Sequence, residues 1–217
     1  MSRVVLSIGS NLGDRLGRLQ SVIDALGEDV VAVSPVYETD PWGGVDQGPF
    51  LNAVVVAEDP RRDAHDWLNF AQAAERAADR VRGQKWGPRT LDVDLVRVQQ
   101  RDPDGTLREV VSRSDGLTLP HPLTHLRAFV LIPWLDVEPD AQLPVTDTER
   151  PVARLLADKA ISTPDNSAKS CASSATTTML SAGTLLAPLM TVTWALLAAS
   201  CSAAMPVTKL RLSARSM

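Results

Sequence analysis

Residues 85–96 read Lys-Trp-Gly-Pro-Arg-Thr-Leu-Asp-Val-Asp-Leu-Val. Gly87 and Pro88 cannot continue a helix, so any helical spacing upstream must stop before them. Residues 90–98 then read as a strand, with Asp92 and Asp94 two positions apart and their carboxylates on one face. Among Leu91, Val93, Leu95 and Val96 the pair sits in too apolar a setting for a casual solvated edge. Neighbouring carboxylates repel, and a bound cation offsets that repulsion. Oxygen-only donors point to Mg²⁺, which completes its shell with water and phosphate oxygens.

Working back from this strand, residues 64–81 carry Trp67, Leu68, Ala71 and Ala74 at helical spacing. Residues 50–57 form an apolar run suited to a central strand, and 40–49 are a Gly- and Pro-bearing loop. Residues 30–37 are β-branched and read as a further strand. Before them, Leu16, Leu19, Val22, Ile23 and Leu26 mark one helix face that ends near Gly27. Residues 4–8 alternate as the first strand. The order β-α-β-β-α-β predicts an α+β, ferredoxin-like core, an antiparallel sheet with helices packed on one face. Downstream, 101–115 is a charged excursion, 117–122 is extended, 123–127 a short helix, and 128–135 is apolar again.

The whole chain of 217 residues has a net charge of −4. Residues 1–158 hold 17 Lys and Arg against 25 Asp and Glu, a net of −8. An acidic body argues against a nucleic-acid binder. Both cysteines, Cys171 and Cys201, lie beyond it, which leaves no Cys-based metal site or disulfide framework in the body. The N-terminus lacks the order of a signal peptide, and the body reads as cytoplasmic. Residues 159–217 form a Ser/Thr/Ala-rich tail with a net charge of +4 and no charge over 170–208, outside the expected domain at 1–158. Its segment 179–205 is long enough to span a bilayer but diluted by Ser, Thr, Gly183 and Pro188, so disorder and a weak membrane segment both stay open. Membrane contact is expected only through this tail.

Five basic residues, Arg76, Arg80, Arg82, Lys85 and Arg89, crowd into 14 positions of this acidic body. Arginines offer planar paired donors to phosphate oxygens, and beside two carboxylates they describe a polyphosphate site. His121, held extended between Pro120 and Pro122, is a third candidate, whereas His65 and His125 read as surface residues. No G-x-G-x-x-G, P-loop, G-x-S-x-G or H-E-x-x-H motif is present.

Arg80-Val81-Arg82 followed by Trp86-Gly87-Pro88-Arg89-Thr90-Leu91-Asp92-Val93-Asp94 resembles the R-x-R…W-G-P-R-T-L-D-x-D signature of the 6-hydroxymethyl-7,8-dihydropterin pyrophosphokinase family. Ile8-Gly9-Ser10-Asn11-Leu12-Gly13, Tyr37-Glu38-Thr39-Asp40-Pro41, Phe50-Leu51-Asn52-Ala53 and Leu119-Pro120-His121-Pro122 with Arg127-Ala128-Phe129 extend the resemblance over residues 3–157. It implies transfer of the diphosphate of ATP to a pterin hydroxymethyl group in folate biosynthesis, with release of AMP. It further implies that Asp92 and Asp94 hold two Mg²⁺ ions, and that Arg82 and Arg89 contact the phosphates with Arg80 assisting. Gln72, Glu75, Trp86, Leu95, Thr118, His121 and Arg127, with Arg82 and Arg89, fall where the family binds the nucleotide. The pterin would lie between Phe50 and Phe129, with Thr39 and Asn52 on its polar edge and Pro41 and Trp42 beside it. A monomer is expected.

The sequence departs from the family pattern at several points. Phe50 stands where Tyr is common, Trp42 where Leu is common, and Gly116 near a position that is Arg in some members. The Arg82–Trp86 interval is one residue shorter than in some. Two competing readings are a non-catalytic or membrane-tethered nucleotide-binding scaffold and a different Mg²⁺-dependent phosphotransferase. The first predicts missing arginines or carboxylates, the second no aromatic pair suited to a pterin. The tail is too short for a fused dihydropteroate synthase or dihydroneopterin aldolase.

Overall fold

The structure, a computed structural model, describes residues 1–42, 45–80, 86–114, 116–146, 148–162 and 207–212. Strand β1 (Ser2–Ser10) leads into helix α1 (Arg15–Leu26), strands β2 (Val30–Val33), β3 (Val36–Thr39) and β4 (Phe50–Asp59), helix α2 (Ala64–Ala77) and strand β5 (Asp92–Arg101). Short strands β6 (Leu107–Glu109), β7 (Ser112–Ser114) and β8 (Leu117–Leu119) precede a 3₁₀ turn at Thr124–Leu126 and helix α3 (Ala128–Val137). A hairpin of β9 (Gln142–Val145) and β10 (Thr148–Pro151), helix α4 (Val152–Ser162) and strand β11 (Val207–Leu212) follow.

The main sheet runs β11-β3-β4-β1-β5-β6, with β2 also paired to β4. β1 lies between β4 and β5 and is antiparallel to both, whereas β11 joins β3 in parallel. The expected antiparallel sheet with packed helices is therefore present. α1 and α2 cover one face, where Leu19, Val22 and Trp67 meet Val4, Leu6, Ile8 and Val55. The second face is not open, contrary to the one-sided packing expected. α3 and α4 bury Val130, Leu131, Trp134, Val152 and Leu155 against Val5, Val54, Val56 and Val96. Apolar residues on both faces make Ala53–Ala57 of β4 a continuous apolar run and Val4–Leu6 of β1 a shorter one, as doubly covered strands require.

Local chemistry explains where the elements stop. The single strand expected over 30–37 is two strands, because Pro35 has no N–H for the ladder. Ser34 holds the break to β4: its N–H donates to the Val54 carbonyl and its Oγ accepts from the Val54 N–H, both at 2.9 Å. α2 ends at Ala77 rather than at 81, with Asp79 in the left-handed region at φ 53°. In β5, Val5 faces Arg97 and Leu6 faces Leu95, so Val96 is an extra residue. This bulge lets Val96 turn to the α3 face while Leu95 and Val98 both turn to the α1/α2 face.

Helix α4 runs across the boundary expected between 158 and 159. The tail segment 179–205 lies outside the described residues. Among the described residues no helix is long and apolar enough to cross a membrane.

Candidate active site

β5 places Asp92 opposite Gly9 and Asp94 opposite Ser7 of β1. These four residues form the floor at one end of a cleft that encloses about 550 Å³ of solvent-open space. Gly9 leaves room there: a Cβ would stand 2.7 Å from the Asn52 Oδ1 and displace that side chain. From β3, β4 and α3 the cleft receives Thr39, Phe50, Asn52 and Phe129, and from the loops Asp40, Trp42, Trp86, Arg89 and Arg127.

Arginines balance the two carboxylates. Asp92 pairs with Arg89, and with Arg80 at 2.7 Å. Asp94 accepts from Arg127 at 2.7 Å. Arg80 also binds Glu75, whose carboxylate accepts the Val93 N–H at 3.0 Å. The Asp92 side chain is 18% exposed and the Asp94 side chain 31%. Burial, then the Asp94 charge, push the Asp92 carboxyl above its ordinary range, against the pull of Arg89 and Arg80. Burial likewise pushes Glu75 up, and the Val93 N–H opposes it. The Arg127 guanidinium carbon lies 5.5 Å from the Trp42 ring centre and 5.8 Å from that of Phe129, within reach of cation–π attraction.

The aromatic end is built differently. Phe50 comes from β4 and Phe129 from α3, and the Asn52 amide donates to Thr39 Oγ1 at 2.7 Å. At the rim, Asn11 ties three loops together. Its Oδ1 accepts the Arg89 N–H at 2.7 Å and its amide donates to Gln47 at 2.9 Å. Gln47 in turn donates to the Trp86 carbonyl at 2.8 Å, and the Trp42 and Trp86 rings meet edge to face at 5.6 Å. Trp86 has φ 62°, the kind of backbone outlier that persists where surrounding contacts over-determine it.

Ten residues expected at the site line this cleft: Thr39, Trp42, Phe50, Asn52, Trp86, Arg89, Asp92, Asp94, Arg127 and Phe129. Arg80 reaches it through Asp92. Arg82 lies outside the described residues. Pro41, Gln72, Glu75, Leu95, Thr118 and His121 are not lining residues. The Leu95 side chain is buried in the α1/α2 core instead, because it alternates with Asp94. Thr118 is exposed on β8, and Glu75 is engaged with Val93 and Arg80. The His121 N–H donates to the Val96 carbonyl at 2.9 Å, its Nδ1 accepts from Leu123, and burial lowers its pKa. Ser7, Gly9 and Asp40 line the cleft without having been named as site residues; Gly9 and Asp40 lie within the stretches that carry the resemblance, and Ser7 is a polar residue inside an apolar strand.

Among the described residues no three His, Cys, Asp or Glu side chains are grouped to hold an ion by themselves. Two carboxylates projecting from one strand face suit a hard cation that takes one or two carboxylates and completes its shell with water and phosphate oxygens. The donor set thus fits Mg²⁺ bound together with a polyphosphate.

A family model for 7,8-dihydro-6-hydroxymethylpterin-pyrophosphokinase (HPPK) matches residues 5–139. The 2-amino-4-hydroxy-6-hydroxymethyldihydropteridine pyrophosphokinase of Mycobacterium tuberculosis is 63% identical over 158 residues, 73% of this chain and 84% of that protein. The Mycobacterium leprae protein of that name is 60% identical over 159 residues, covering 73% and 83%. The one from Pseudomonas aeruginosa is 38% identical over 148 residues, covering 66% and 85%. A crystal structure of Plasmodium falciparum HPPK-DHPS superposes with a TM-score of 0.50 at 13% identity, over 72% of this chain and 45% of that one. At that identity the likeness concerns the fold alone.

Proposed function

As a member of the 7,8-dihydro-6-hydroxymethylpterin-pyrophosphokinase family, the chain has pyrophosphokinase activity on the hydroxymethyldihydropteridine in folate biosynthesis, and we propose how its cleft performs that reaction. The observation that carries the proposal is the cleft's polarity. Two carboxylates among three arginines occupy one end, and two phenyl rings with a Thr–Asn pair occupy the other.

The pterin lies at the aromatic end. Stacking between Phe50 and Phe129 supplies dispersion and offset contact on both ring faces. Thr39 and Asn52 present hydrogen-bonding groups to its edge, and Pro41 and Trp42 wall the loop side. The triphosphate of ATP lies at the charged end. Asp92 and Asp94 would hold Mg²⁺, two ions when full, which would supply neutralising charge to the phosphates. Arg80, Arg89 and Arg127 supply guanidinium donors, which exchange their carboxylate partners for phosphate oxygens, and Arg82 adds a further cation to the phosphates.

With both substrates bound, the hydroxymethyl oxygen attacks the β-phosphorus in line and its proton is released to water. The bond from that phosphorus to the oxygen bridging to the α-phosphorus breaks, so AMP leaves and the pterin carries the diphosphate. Stacking and edge contacts orient the attacking oxygen, and the arginines stabilise charge on the transferring group. We read the enzyme as monomeric and cytoplasmic, its body free of cysteine.

Product analysis tests this. ATP, Mg²⁺ and 6-hydroxymethyl-7,8-dihydropterin should yield AMP and a pterin diphosphate in equal amounts. ADP with a pterin monophosphate would contradict it, since the attack would then fall on the γ-phosphorus.

A further inference from the structure

The family match ends at residue 139, yet the main sheet ends on a strand from far beyond it. β11 adds in parallel to the side of β3 that β4 leaves free, with Val207 beside Val36, Thr208 beside Tyr37 and Leu212 beside Thr39. A register shift between Thr208 and Leu212 brings the two strands to their ends at one pair, Leu212 and Thr39. There the chain leaves β3 for the loop over 40–49, whose Asp40 and Trp42 line the cleft beside Thr39.

On its other side β3 pairs with β4 over Tyr37–Thr39. Without β11, β3 would be an edge strand of four residues, carrying this wall of the cleft on one ladder. An unpaired edge presents N–H and C=O groups that accept an added strand. The tail is suited to that place. Pro206 stands immediately ahead of β11, where a residue without an N–H ends a ladder. Lys209 and Arg211 are of the charged type that blunts an outermost strand against further pairing. Residues 205–217 carry Lys209, Arg211 and Arg215 and no acidic residue, against a net of −8 for 1–158, so attraction favours docking on this body. Because strand and edge belong to one chain, their pairing is an intramolecular event that needs no partner in solution.

We propose that the edge of β3 is a strand-docking surface whose occupant is this chain's own C-terminal strand, and that β11 acts there as a clamp. By pairing out to Thr39 it fixes the point from which the 40–49 loop departs, and so holds one wall of the cleft in its binding shape. The effect on substrate rests on the reading that the pterin occupies that end.

The test substitutes β11 within the full chain. Val207→Pro with Thr208→Pro removes two adjacent N–H groups, which point to opposite sides of a strand, so one of them faces β3. Val207→Ala with Thr208→Ala keeps both. Hydrogen exchange over 36–39 should quicken by about tenfold or more in the proline pair and hold in the alanine pair, while β1 stays protected in both. The KM for 6-hydroxymethyl-7,8-dihydropterin should rise about threefold to tenfold in the proline pair alone, with the KM for ATP unchanged. Unchanged exchange over 36–39 overturns the docking, and quickened exchange with an unchanged pterin KM overturns the clamp. Loss of protection in β1 as well makes β11 an element of global folding and overturns the local clamp. A wild-type dimer that the proline pair dissociates assigns the strand to a second copy and overturns the intramolecular pairing. Wild type that shows the exchange effect but neither binds nor turns over the pterin overturns the pterin reading and leaves the docking standing, so the two failures are distinguishable.

Discussion

The Glu75 carboxylate accepts the Val93 N–H at 3.0 Å and also holds Arg80. Val93 sits between Asp92 and Asp94, so a side chain of helix α2 fixes the peptide from which both carboxylates hang. Glu75→Ala leaves a buried N–H and a cationic Arg80 without that acceptor. Stability should fall by about 1–3 kcal/mol in urea unfolding, and kcat should fall more than the pterin KM changes. Glu75→Gln keeps a carbonyl acceptor for Val93 and should lose less. Equal losses in the two variants would show that the Val93 bond is not what matters.

Tyr37 is the chain's single tyrosine and donates to Asp136 at 2.5 Å, joining β3 to α3. Burial, then the bond to Asp136, push its pKa up to about 12. The folded value exceeds the unfolded value of about 10. The stabilisation it provides is therefore complete below the unfolded value and is lost as pH rises through about 12. Tyrosinate absorbance, which reports this one residue, should titrate well above free tyrosine until the protein unfolds. Titration at the free-tyrosine value would contradict the buried hydrogen bond.

Asp63 caps α2 by accepting the N–H groups of His65 at 2.7 Å and Asp66 at 2.9 Å, and Asp66 returns the bond to the Asp63 N–H. The backbone donors, that of Asp66 foremost, hold the Asp63 carboxyl below its ordinary range. A lowered carboxyl pKa gives stability that is present above the unfolded value of about 4 and is lost as pH falls through the folded value. Asp63→Ala should cost about 1 kcal/mol near neutral pH, and the difference from wild type should shrink in acid. Asp63→Ser, which keeps a capping oxygen, should retain most of the stability but not its pH dependence.

Much of the fold was legible because apolar periodicity sets it: β1, α1, β4 and β5 lie where their patterns place them. Pro35 carried the signal that splits β2 from β3, but a β-branched run outweighed one residue. α3 was concealed because it is apolar nearly all round and contains Pro133, so no amphipathic stripe marks it. The second face of the sheet went unseen with it. At the site, Asp92 and Asp94 were legible from spacing alone, and the arginines from their local density. The bond from Arg127 to Asp94 joins residues 33 apart in sequence, a distance no local pattern spans. Glu75 was expected at the nucleotide, and its carboxylate meets the Val93 N–H, a long-range contact that no local pattern marks.

The most direct measurement of the central claim is pterin-dependent AMP formation by wild type and by Asp94→Asn at saturating ATP and Mg²⁺, with pterin binding followed in parallel. The account predicts a fall in kcat of about 10²–10³-fold or more in the variant, with pterin binding retained at the aromatic end. AMP formation at the wild-type rate in Asp94→Asn would contradict it.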